Sequence, residues 1–252
     1  MIKSAAVSDT GRKRQTNQDY YLLNPECQLY VVADGMGGHA AGAEAAKLTV
    51  TAIDGFIKLA DDSPKVSWPF GYNIQISFEH NVLRTALLLA NLRVCRASEE
   101  VEQYAGMGST VVVVWIRGDK AFWTHVGDSR LYHLRNGELR QLTEDHTLVQ
   151  EQLKLGIISP EEAKTHSFRH VITRAVGSRE RFEVEVGEQS LEAGDLLLLC
   201  CDGLSDKLAD RELRDLLLSG QDPQSTCQKL VDAANRAGGD DNITAVLLQY
   251  AV

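Results

Sequence analysis

The chain lacks the features that mark several large classes of protein. No C-x-x-C pair occurs among its five cysteines, and their odd count argues against a disulfide framework or a zinc finger. The longest apolar runs, VVVVWI and LLLLCC, are too short to span a bilayer. Cys200 and Cys201 end the second run and are expected to be core residues. The sequence opens without a basic segment and apolar stretch, so we expect no signal peptide. These absences predict a cytoplasmic protein that makes no membrane contact.

Basic residues are outnumbered by acidic ones. The chain has 26 Lys and Arg against 35 Asp and Glu, which gives a formal net charge of −9. This balance argues against broad binding to nucleic acid or to an anionic membrane. It suits a protein that gathers carboxylates around a cation, although an acidic soluble surface gives the same net charge. Neither G-x-x-x-x-G-K-[ST] nor G-x-G-x-x-G matches the glycine-rich stretch at 35–38, so nucleotide binding through those fingerprints is not expected.

The order of predicted elements favours an α+β fold. Strand patterns fill much of the first 33 residues, and helical spacing follows at about 39–59 and 77–104, on either side of a linker at 61–76. Several strands then follow in quick succession, with Asn136-Gly137 as a hairpin turn. Two helices and a last strand end the chain. Antiparallel hairpins without βαβ alternation predict helices that cover antiparallel sheets.

Aspartates recur where the predicted strands begin or end. They are Asp19, Asp34, Asp128, Asp202 and Asp241, most of them beside Gly or Asn. Each alone could be an ordinary turn residue or helix cap. Several carboxylates at strand ends would repel one another unless a cation neutralised them. Oxygen ligands without nearby His or Cys favour Mg²⁺ or Mn²⁺ over Zn²⁺.

The stretch VVADGMGGHA at 31–40 places three glycines within four residues of Asp34. Two interpretations stay open on this stretch alone. The glycines could form a tight strand-to-helix turn, because glycine adopts positive φ without strain. They could instead allow the backbone to approach another group closely.

Eight motifs carry a resemblance to a known family. In chain order they are RQTNQD, VVADGMGGH, GMGSTVVVV, HVGDSRLY, LTEDHTLV, ITRAVGS, CCDGLSD and GGDDNITAV. They resemble, nearly end to end, the bacterial PPM-type (type 2C) metal-dependent serine/threonine protein phosphatases. The resemblance implies one catalytic domain over residues 1–252. It also implies a four-layer αββα sandwich, in which two antiparallel sheets are flanked by helices, with a two-metal centre at one edge.

The resemblance further implies a set of metal ligands. Asp34 would bridge two Mn²⁺ or Mg²⁺ ions, with Gly35 (through its carbonyl), Asp19, Asp202 and Asp241 as the other ligands. Asp128 would hold a third, weaker cation together with Asp202. On this interpretation the glycines after Asp34 let a backbone oxygen reach a metal ion.

The implied reaction is hydrolysis of phosphoserine and phosphothreonine by a metal-bridging hydroxide, without a phosphoenzyme. Arg14 would bind the phosphate, and the segment at about 144–174, here called the flap, would lie beside the active site. Eukaryotic members carry a histidine two places after the bridging aspartate as general acid, but this chain has Met36 there. We hypothesise that His39 protonates the leaving group; the alternative is that it only starts the following helix.

The expected partners are phosphoprotein substrates and a serine/threonine kinase, with the chain itself a monomer. Two other functions stay open. The same fold could serve as a catalytically weak pseudophosphatase or phosphoprotein-binding scaffold, or it could hydrolyse another phosphoester such as a nucleic acid. Three further residues are expected to be structural: His125 as a core histidine rather than a base, and Trp68 and Phe70 as packing partners of the long helices. The alternative for Trp68 and Phe70 is contact with a partner protein.

Overall fold

The structure is a computed structural model that describes residues 2–38, 41–63, 66–178 and 183–251. Its strands, in chain order, are β1 (Ile2–Asp9), β2 (Asp19–Asn24), β3 (Leu29–Met36), β4 (Gly108–Ser109), β5 (Val111–Arg117), β6 (Lys120–Val126), β7 (Arg130–Arg135), β8 (Glu138–Gln141), β9 (Val186–Ser190), β10 (Leu196–Cys200) and β11 (Ile243–Tyr250). The α-helices are α1 (Ala41–Asp62), α2 (Phe78–Glu100), α3 (Leu148–Lys154), α4 (Pro160–Lys164), α5 (Asp202–Ser205), α6 (Asp210–Leu218) and α7 (Pro223–Arg236).

The strands form two antiparallel sheets. One has the order β1-β11-β10-β7-β8, and the other has the order β2-β3-β5-β6-β9 with β4 paired to β3. The first and last strands of the chain are neighbours, since Ile2 pairs with Tyr250 and Asp9 with Ile243. The expected hairpin joins β7 to β8 through Asn136 and Gly137, both at positive φ. The five-stranded sheet therefore holds the first and last described strands side by side.

Three apolar layers hold the sheets and helices together. Side chains such as Val32, Val112 and Leu199 fill the space between the two sheets. The outer face of the six-stranded sheet packs against α1 and α2. The outer face of the five-stranded sheet packs against α7, which α6 contacts in turn. This order of helix, sheet, sheet and helix is the expected αββα sandwich of the α+β class.

The two long helices differ slightly from their predicted bounds. The first extends to Asp62 and ends just before Pro64, because a residue that precedes proline disfavours helical backbone. The second begins after Ser77, whose side chain caps it, and ends at Glu100 rather than Tyr104. Val101 adopts an extended conformation there, and a short 3-10 turn follows. Within the described residues, no helix combines the length and hydropathy needed to cross a bilayer.

The linker between the long helices packs as predicted for Trp68. Its ring lies edge-on to Phe56 at 6.1 Å and to Phe78 at 5.9 Å between centroids, so it joins α1 to the start of α2. Phe70 lies beside α2, where its carbonyl oxygen accepts a hydrogen bond from Arg84 at 3.4 Å. His125 is buried in β6, with Nε2 2.7 Å from the Glu144 carbonyl oxygen. It is a core histidine, as expected.

Candidate metal centre

Neighbouring strands bring the first two aspartates together. Asp19 is the first residue of β2 and pairs across the sheet with Asp34 of β3. Directly opposed residues on antiparallel strands point their side chains to the same face, so these two carboxyl groups are adjacent. Thr244 of β11 donates a hydrogen bond from Oγ1 to Asp19 Oδ2 at 2.6 Å. Because β11 belongs to the other sheet, this contact places the pair where the two sheets meet.

The other three aspartates reach the same place from turns. Asp202 begins α5, with one residue between it and the end of β10. Asp241 lies just before β11, and Asp128 occupies the turn from β6 to β7. Burial is the main cause that raises the pKa of Asp202 to about 6 and of Asp128 to about 8, and neighbouring carboxylates add to both shifts. The structure therefore brings all five predicted aspartates together at one edge of the sandwich.

Asp34 lies at the middle of this group. Burial raises its pKa well above the usual range, and the charges of the other four aspartates raise it further. The pKa of Asp19 rises to about 7, mainly through burial, although hydrogen bonds from Thr244 and Cys201 act in the opposite direction. Carboxylates held this close stay ionised together only when a positive charge neutralises them.

The donor set fits a hard divalent cation. Asp19 Oδ1 and Asp202 Oδ1 are buried and have no hydrogen-bond partner among the described residues. Buried carboxylate oxygens without a donor are costly unless they bind a cation. Asp19, Asp34 and Cys201 present potential ligand atoms within 4.8 Å of one another. Burial raises the pKa of the Cys201 thiol well above its usual range, which favours the protonated thiol in the metal-free protein and leaves the carboxylate oxygens as the candidate ligands.

Cys201 is a residue of the centre that sequence reasoning assigned only to the core. It is fully buried, and Sγ accepts a hydrogen bond from the Thr244 amide at 3.1 Å. The apolar run before it concealed this second contact. Its place directly before Asp202 was the signal that could have found it.

Glycines at the centre permit close backbone contacts. A Cβ added to Gly35 would lie 1.9 Å from the Gly42 carbonyl oxygen of α1, and one added to Gly42 would lie 2.7 Å from the Gly35 carbonyl oxygen. A Cβ at Gly203 would lie 1.9 Å from the Asn242 carbonyl oxygen. Gly35 therefore has a steric role, since it lets the start of α1 pack against β3. Its predicted role as a carbonyl ligand stays a prediction.

Arg14 lies at the mouth of the centre. It donates a hydrogen bond from Nη2 to Asp241 Oδ2 at 2.6 Å, and this bond raises the pKa of the guanidinium. Beside it, Asp240 forms ion pairs with Lys13 and Lys207, which lower the pKa of its carboxyl to about 2. The mouth thus carries positive charge while the interior carries negative charge.

The flap lies next to the carboxylates and adds a pair that the sequence did not predict. His170 Nδ1 is 3.1 Å from Asp206 Oδ2, and these two groups and Asp202 lie within 4.8 Å of one another. A cavity of about 420 Å³ separates the flap helices α3 and α4 from Asp128 and Asp202. Asp206 was visible in the motif CCDGLSD, but its histidine partner is 36 positions away in the sequence.

The residue predicted as general acid lies outside the described residues, so His39 is not placed. Met36, which occupies the position of the acid in eukaryotic members, is the last residue of β3 and pairs with Gly108. A methionine side chain has no acidic proton to donate. The described residues therefore leave the assignment of the general acid as a prediction.

Comparison with known proteins identifies the family. Residues 10–247 match the family model described as protein phosphatase 2C. Protein phosphatase PhpP of Streptococcus pneumoniae is 36% identical over 98% of this chain and 97% of its own length. The chain therefore belongs to the protein phosphatase 2C family, which confirms the resemblance seen in the motifs.

Solved structures agree with this assignment. The Mycobacterium tuberculosis serine/threonine phosphatase PstP/Ppp matches with a TM-score of 0.86 at 33% identity, covering 100% of this chain and 99% of that one. The catalytic domain of PstP in complex with two manganese ions matches with a TM-score of 0.83 at 33% identity and the same coverage. These matches confirm the α+β fold of two antiparallel sheets flanked by helices.

Proposed function

We propose that the chain is a metal-dependent protein serine/threonine phosphatase, a phosphoric monoester hydrolase that acts on phosphoserine and phosphothreonine. The observation that carries this proposal is the cluster of aspartates at one edge of the sandwich. The pKa values of Asp19, Asp34, Asp128 and Asp202 are raised, and one buried oxygen each of Asp19 and Asp202 has no hydrogen-bond partner among the described residues. Asp19, Asp34, Gly35, Asp202 and Asp241 would hold two ions, Mn²⁺ or Mg²⁺. Asp128 would hold a third, weaker one with Asp202. The two manganese ions of the PstP catalytic domain support the first part of this assignment.

Bound in this way, the cations would make water a nucleophile at neutral pH. The chain's own residues would orient the substrate. Arg14 can grip two phosphoryl oxygens with its planar guanidinium, and its contact with Asp241 keeps it at the mouth of the site. The same positive charge would stabilise negative charge that develops on the transferring group.

The nearby serines support direct attack by water without a phosphoenzyme. Ser109 is buried, and its hydroxyl lies 3.0 Å from the Asp34 carbonyl oxygen and 2.6 Å from the Thr110 carbonyl oxygen. Ser129 is also buried, with its hydroxyl 2.6 Å from Thr110 Oγ1. A nucleophilic serine needs a general base within hydrogen-bond reach, and these hydroxyls are engaged elsewhere.

The domain assignment is part of the same proposal. Residues 1–252 would form one catalytic domain, and the flap at about 144–174 would contact protein substrates. The flap lies across the cavity that contains Asp128 and Asp202, which supports a role next to the reacting phosphate. Cytoplasmic location, a monomeric state and an opposing serine/threonine kinase stay predictions from the sequence.

The test is phosphate release from a phosphoserine peptide with Mn²⁺, with Mg²⁺, and after exhaustive dialysis against EDTA. We expect turnover only with a divalent cation. Full turnover in excess EDTA would contradict a metal-dependent reaction. Tight peptide binding without turnover would favour the scaffold, and cleavage of DNA under the same conditions would favour hydrolysis of another phosphoester.

His39 needs a separate test, because two leaving groups distinguish a general acid from a structural residue. The serine alkoxide leaves poorly without a proton, whereas p-nitrophenolate leaves readily. We expect His39→Ala to slow phosphoserine-peptide hydrolysis by about 10²–10⁴-fold and p-nitrophenyl phosphate hydrolysis only slightly. Equal slowing of both substrates, or of neither, would remove His39 from the mechanism.

A further inference from the structure

The flap is tied to the metal centre at both of its ends. At the outgoing end, Val176 and Ser109 exchange backbone hydrogen bonds of 2.8 and 2.9 Å, and the Ser109 hydroxyl donates to the Asp34 carbonyl oxygen. At the incoming end, His146 reaches the turn that carries Asp128. Hydrogen bonds therefore connect the two ends of the flap to the backbone next to two of the carboxylates, those of Asp34 and Asp128.

His146 is the point where the incoming end, the outgoing end and the Asp128 turn meet. Its amide donates to the Gly127 carbonyl oxygen at 2.9 Å, and its own carbonyl oxygen accepts from the Thr173 amide at 2.9 Å. Its side chain adds a third link, because Nδ1 accepts a hydrogen bond from the Gly127 amide at 3.1 Å. His146 thus connects the two ends of the flap to each other and to Gly127, the residue before Asp128.

The hydrogen bond from the Gly127 amide to the His146 ring requires an acceptor nitrogen. A backbone amide can only donate, so Nδ1 must be unprotonated, and the ring proton of a neutral imidazole must then lie on Nε2. The ring is held in this orientation by stacking on His125 at 4.6 Å between centroids. His146 is 7% exposed, so water cannot readily replace Nδ1 as the acceptor for the Gly127 amide.

The Gly127 turn has little freedom to adjust on its own. Gly127 has a φ of +97°, and a Cβ added there would lie 2.5 Å from the Thr110 side chain. Its carbonyl and its amide are both bonded to His146. The backbone that leads into Asp128, whose side chain is 7% exposed, is therefore held by this pair of contacts.

We propose that His146 is a positioning residue that holds Asp128 in place for the third, weaker cation and so links the flap to that cation. This inference rests on the proposed function and on the proposed third cation. It predicts that the Nδ1 acceptor matters for the weak cation and not for the two tighter ones. Two of the proposed ligands of the tighter cations, Asp19 and Asp241, accept their hydrogen bonds from other residues, Thr244 and Arg14.

Two substitutions of His146 test whether the acceptor atom for the Gly127 amide matters, since both replace the ring by a polar side chain and only one keeps that acceptor. In His146→Asn the amide oxygen lies as many bonds from Cα as Nδ1 does, so it can accept from the Gly127 amide. In His146→Gln the amide group lies at the position of Nε2 instead, and the Gly127 amide loses its partner. Both variants are polar and neutral, and their folding is checked by thermal unfolding in EDTA.

The measurement is Mn²⁺ binding by titration calorimetry, with phosphopeptide turnover against Mn²⁺ concentration as a second readout. We expect His146→Gln to raise the Kd of the weak site about tenfold, the effect of one lost buried hydrogen bond, and to leave the two tight sites unchanged. We expect His146→Asn to bind like the original chain. If both variants show an unchanged weak site, or if the tight sites weaken as well, the inference is wrong.

Thr147→Ala provides a matched control. Thr147 caps α3 from the adjacent position, with Oγ1 accepting from the Gln150 amide at 3.2 Å, but the structure records no bond from it to Gly127. This variant loosens the same end of the flap, and we expect its weak site to be unchanged. A weak site altered equally by Thr147→Ala would reduce His146 to general flap stability. If the original chain binds no weak cation, the third cation and the inference both fail, while metal-dependent turnover would leave the proposed function intact.

Discussion

The metal centre and the flap are adjacent but are built in opposite ways. The carboxylates come from strands and tight turns and are buried or half-buried; Asp19 is 9% exposed, and the Asp241 side chain is 34% exposed. The flap contains two short helices of seven and five residues. It exposes four large apolar side chains: Leu155 at 74%, Ile157 at 63%, Phe168 at 56% and Val171 at 44%. The contrast is between polar groups held at the edge of the packed sandwich and apolar groups exposed on the flap.

This difference separates two tasks. Groups that carry out chemistry need fixed positions, and strand ends in a packed sandwich provide them. Groups that recognise varied protein surfaces benefit from an exposed segment with few buried contacts, which opens locally at low free energy. We expect substitutions in the centre to affect every substrate and substitutions in the flap to affect protein substrates selectively.

The largest effect is expected for Asp34→Ala. It removes the proposed ligand shared by both tight cations, so hydrolysis of phosphopeptide and p-nitrophenyl phosphate should both fall below detection. The check is turnover of each substrate at saturating Mn²⁺, with unfolding in EDTA to show that the variant folds. Retention of half of the activity would contradict a bridging role.

A smaller but general loss is expected for Arg14→Lys. Lysine keeps the charge but cannot form the two parallel hydrogen bonds of a guanidinium, so phosphate should be held less well in line. We expect kcat/KM to fall by about 10- to 100-fold for both substrates. Rates within twofold of the original for both would remove Arg14 from phosphate binding.

The metal-free protein should lose stability as pH rises. The folded-state pKa values of Asp19, Asp202 and Asp128 lie at about 7, 6 and 8, above the ordinary value of 3.8. Stability from their protonated forms is therefore complete below about pH 4 and is lost as pH rises towards 8. In EDTA the unfolding temperature should fall by several degrees from pH 6.5 to pH 8, where Asp19 and Asp128 lose their protons.

Saturating Mn²⁺ should remove most of that fall, because the cations neutralise the same carboxylates. Asp128→Asn is the matched control, since it deletes one titrating group and should flatten the profile of the metal-free protein. The low pKa of Asp240, about 2, acts outside this pH range. Burial lowers the pKa of His146 to about 4 and also lowers that of His125, so these neutral imidazoles add stability as pH rises to about 6.5 and oppose the fall below that pH. An EDTA profile that stays level or rises from pH 6.5 to pH 8 would contradict the burial and mutual repulsion inferred for the carboxylates of the centre.

The smallest general effect is expected from the flap. Replacing residues 150–168 with the corresponding segment of a relative leaves His146 and the carboxylates in place. We expect altered preference among phosphopeptides, with the p-nitrophenyl phosphate rate within about threefold because the small substrate needs only the centre. Equal loss on both substrates would assign the flap a structural role.

The sequence predicted the family, the fold and the group of aspartates, because these depend on local motifs in a fixed order. Apolar runs marked the strands, and Asp-Gly pairs marked where they end. The contacts that complete the centre were not visible. Arg14 and Asp241 are 227 positions apart, and the pairing of β1 with β11 joins the two ends of the chain. Local patterns carry no information about which distant strands become neighbours.

The sequence also failed to predict second roles of single residues. Cys201 lies at the end of an apolar run and was assigned to the core, where it does lie, yet its sulfur accepts the Thr244 amide beside Asp19. Gly35 was predicted to bind a metal ion through its carbonyl oxygen. The structure shows a steric reason for glycine there, because a Cβ would lie 1.9 Å from the Gly42 carbonyl oxygen. Such roles follow from three-dimensional packing, which composition and spacing do not specify.

The most direct test of the account is the number and spacing of Mn²⁺ ions in the loaded protein, measured by equilibrium binding together with electron paramagnetic resonance. A shared carboxylate at Asp34 predicts two tightly bound ions that are magnetically coupled, since ions in such two-metal sites lie about 3.5–4 Å apart. Asp34→Ala should abolish the coupled signal. A single tight ion, or two tight ions without magnetic coupling, would contradict a centre organised around Asp34.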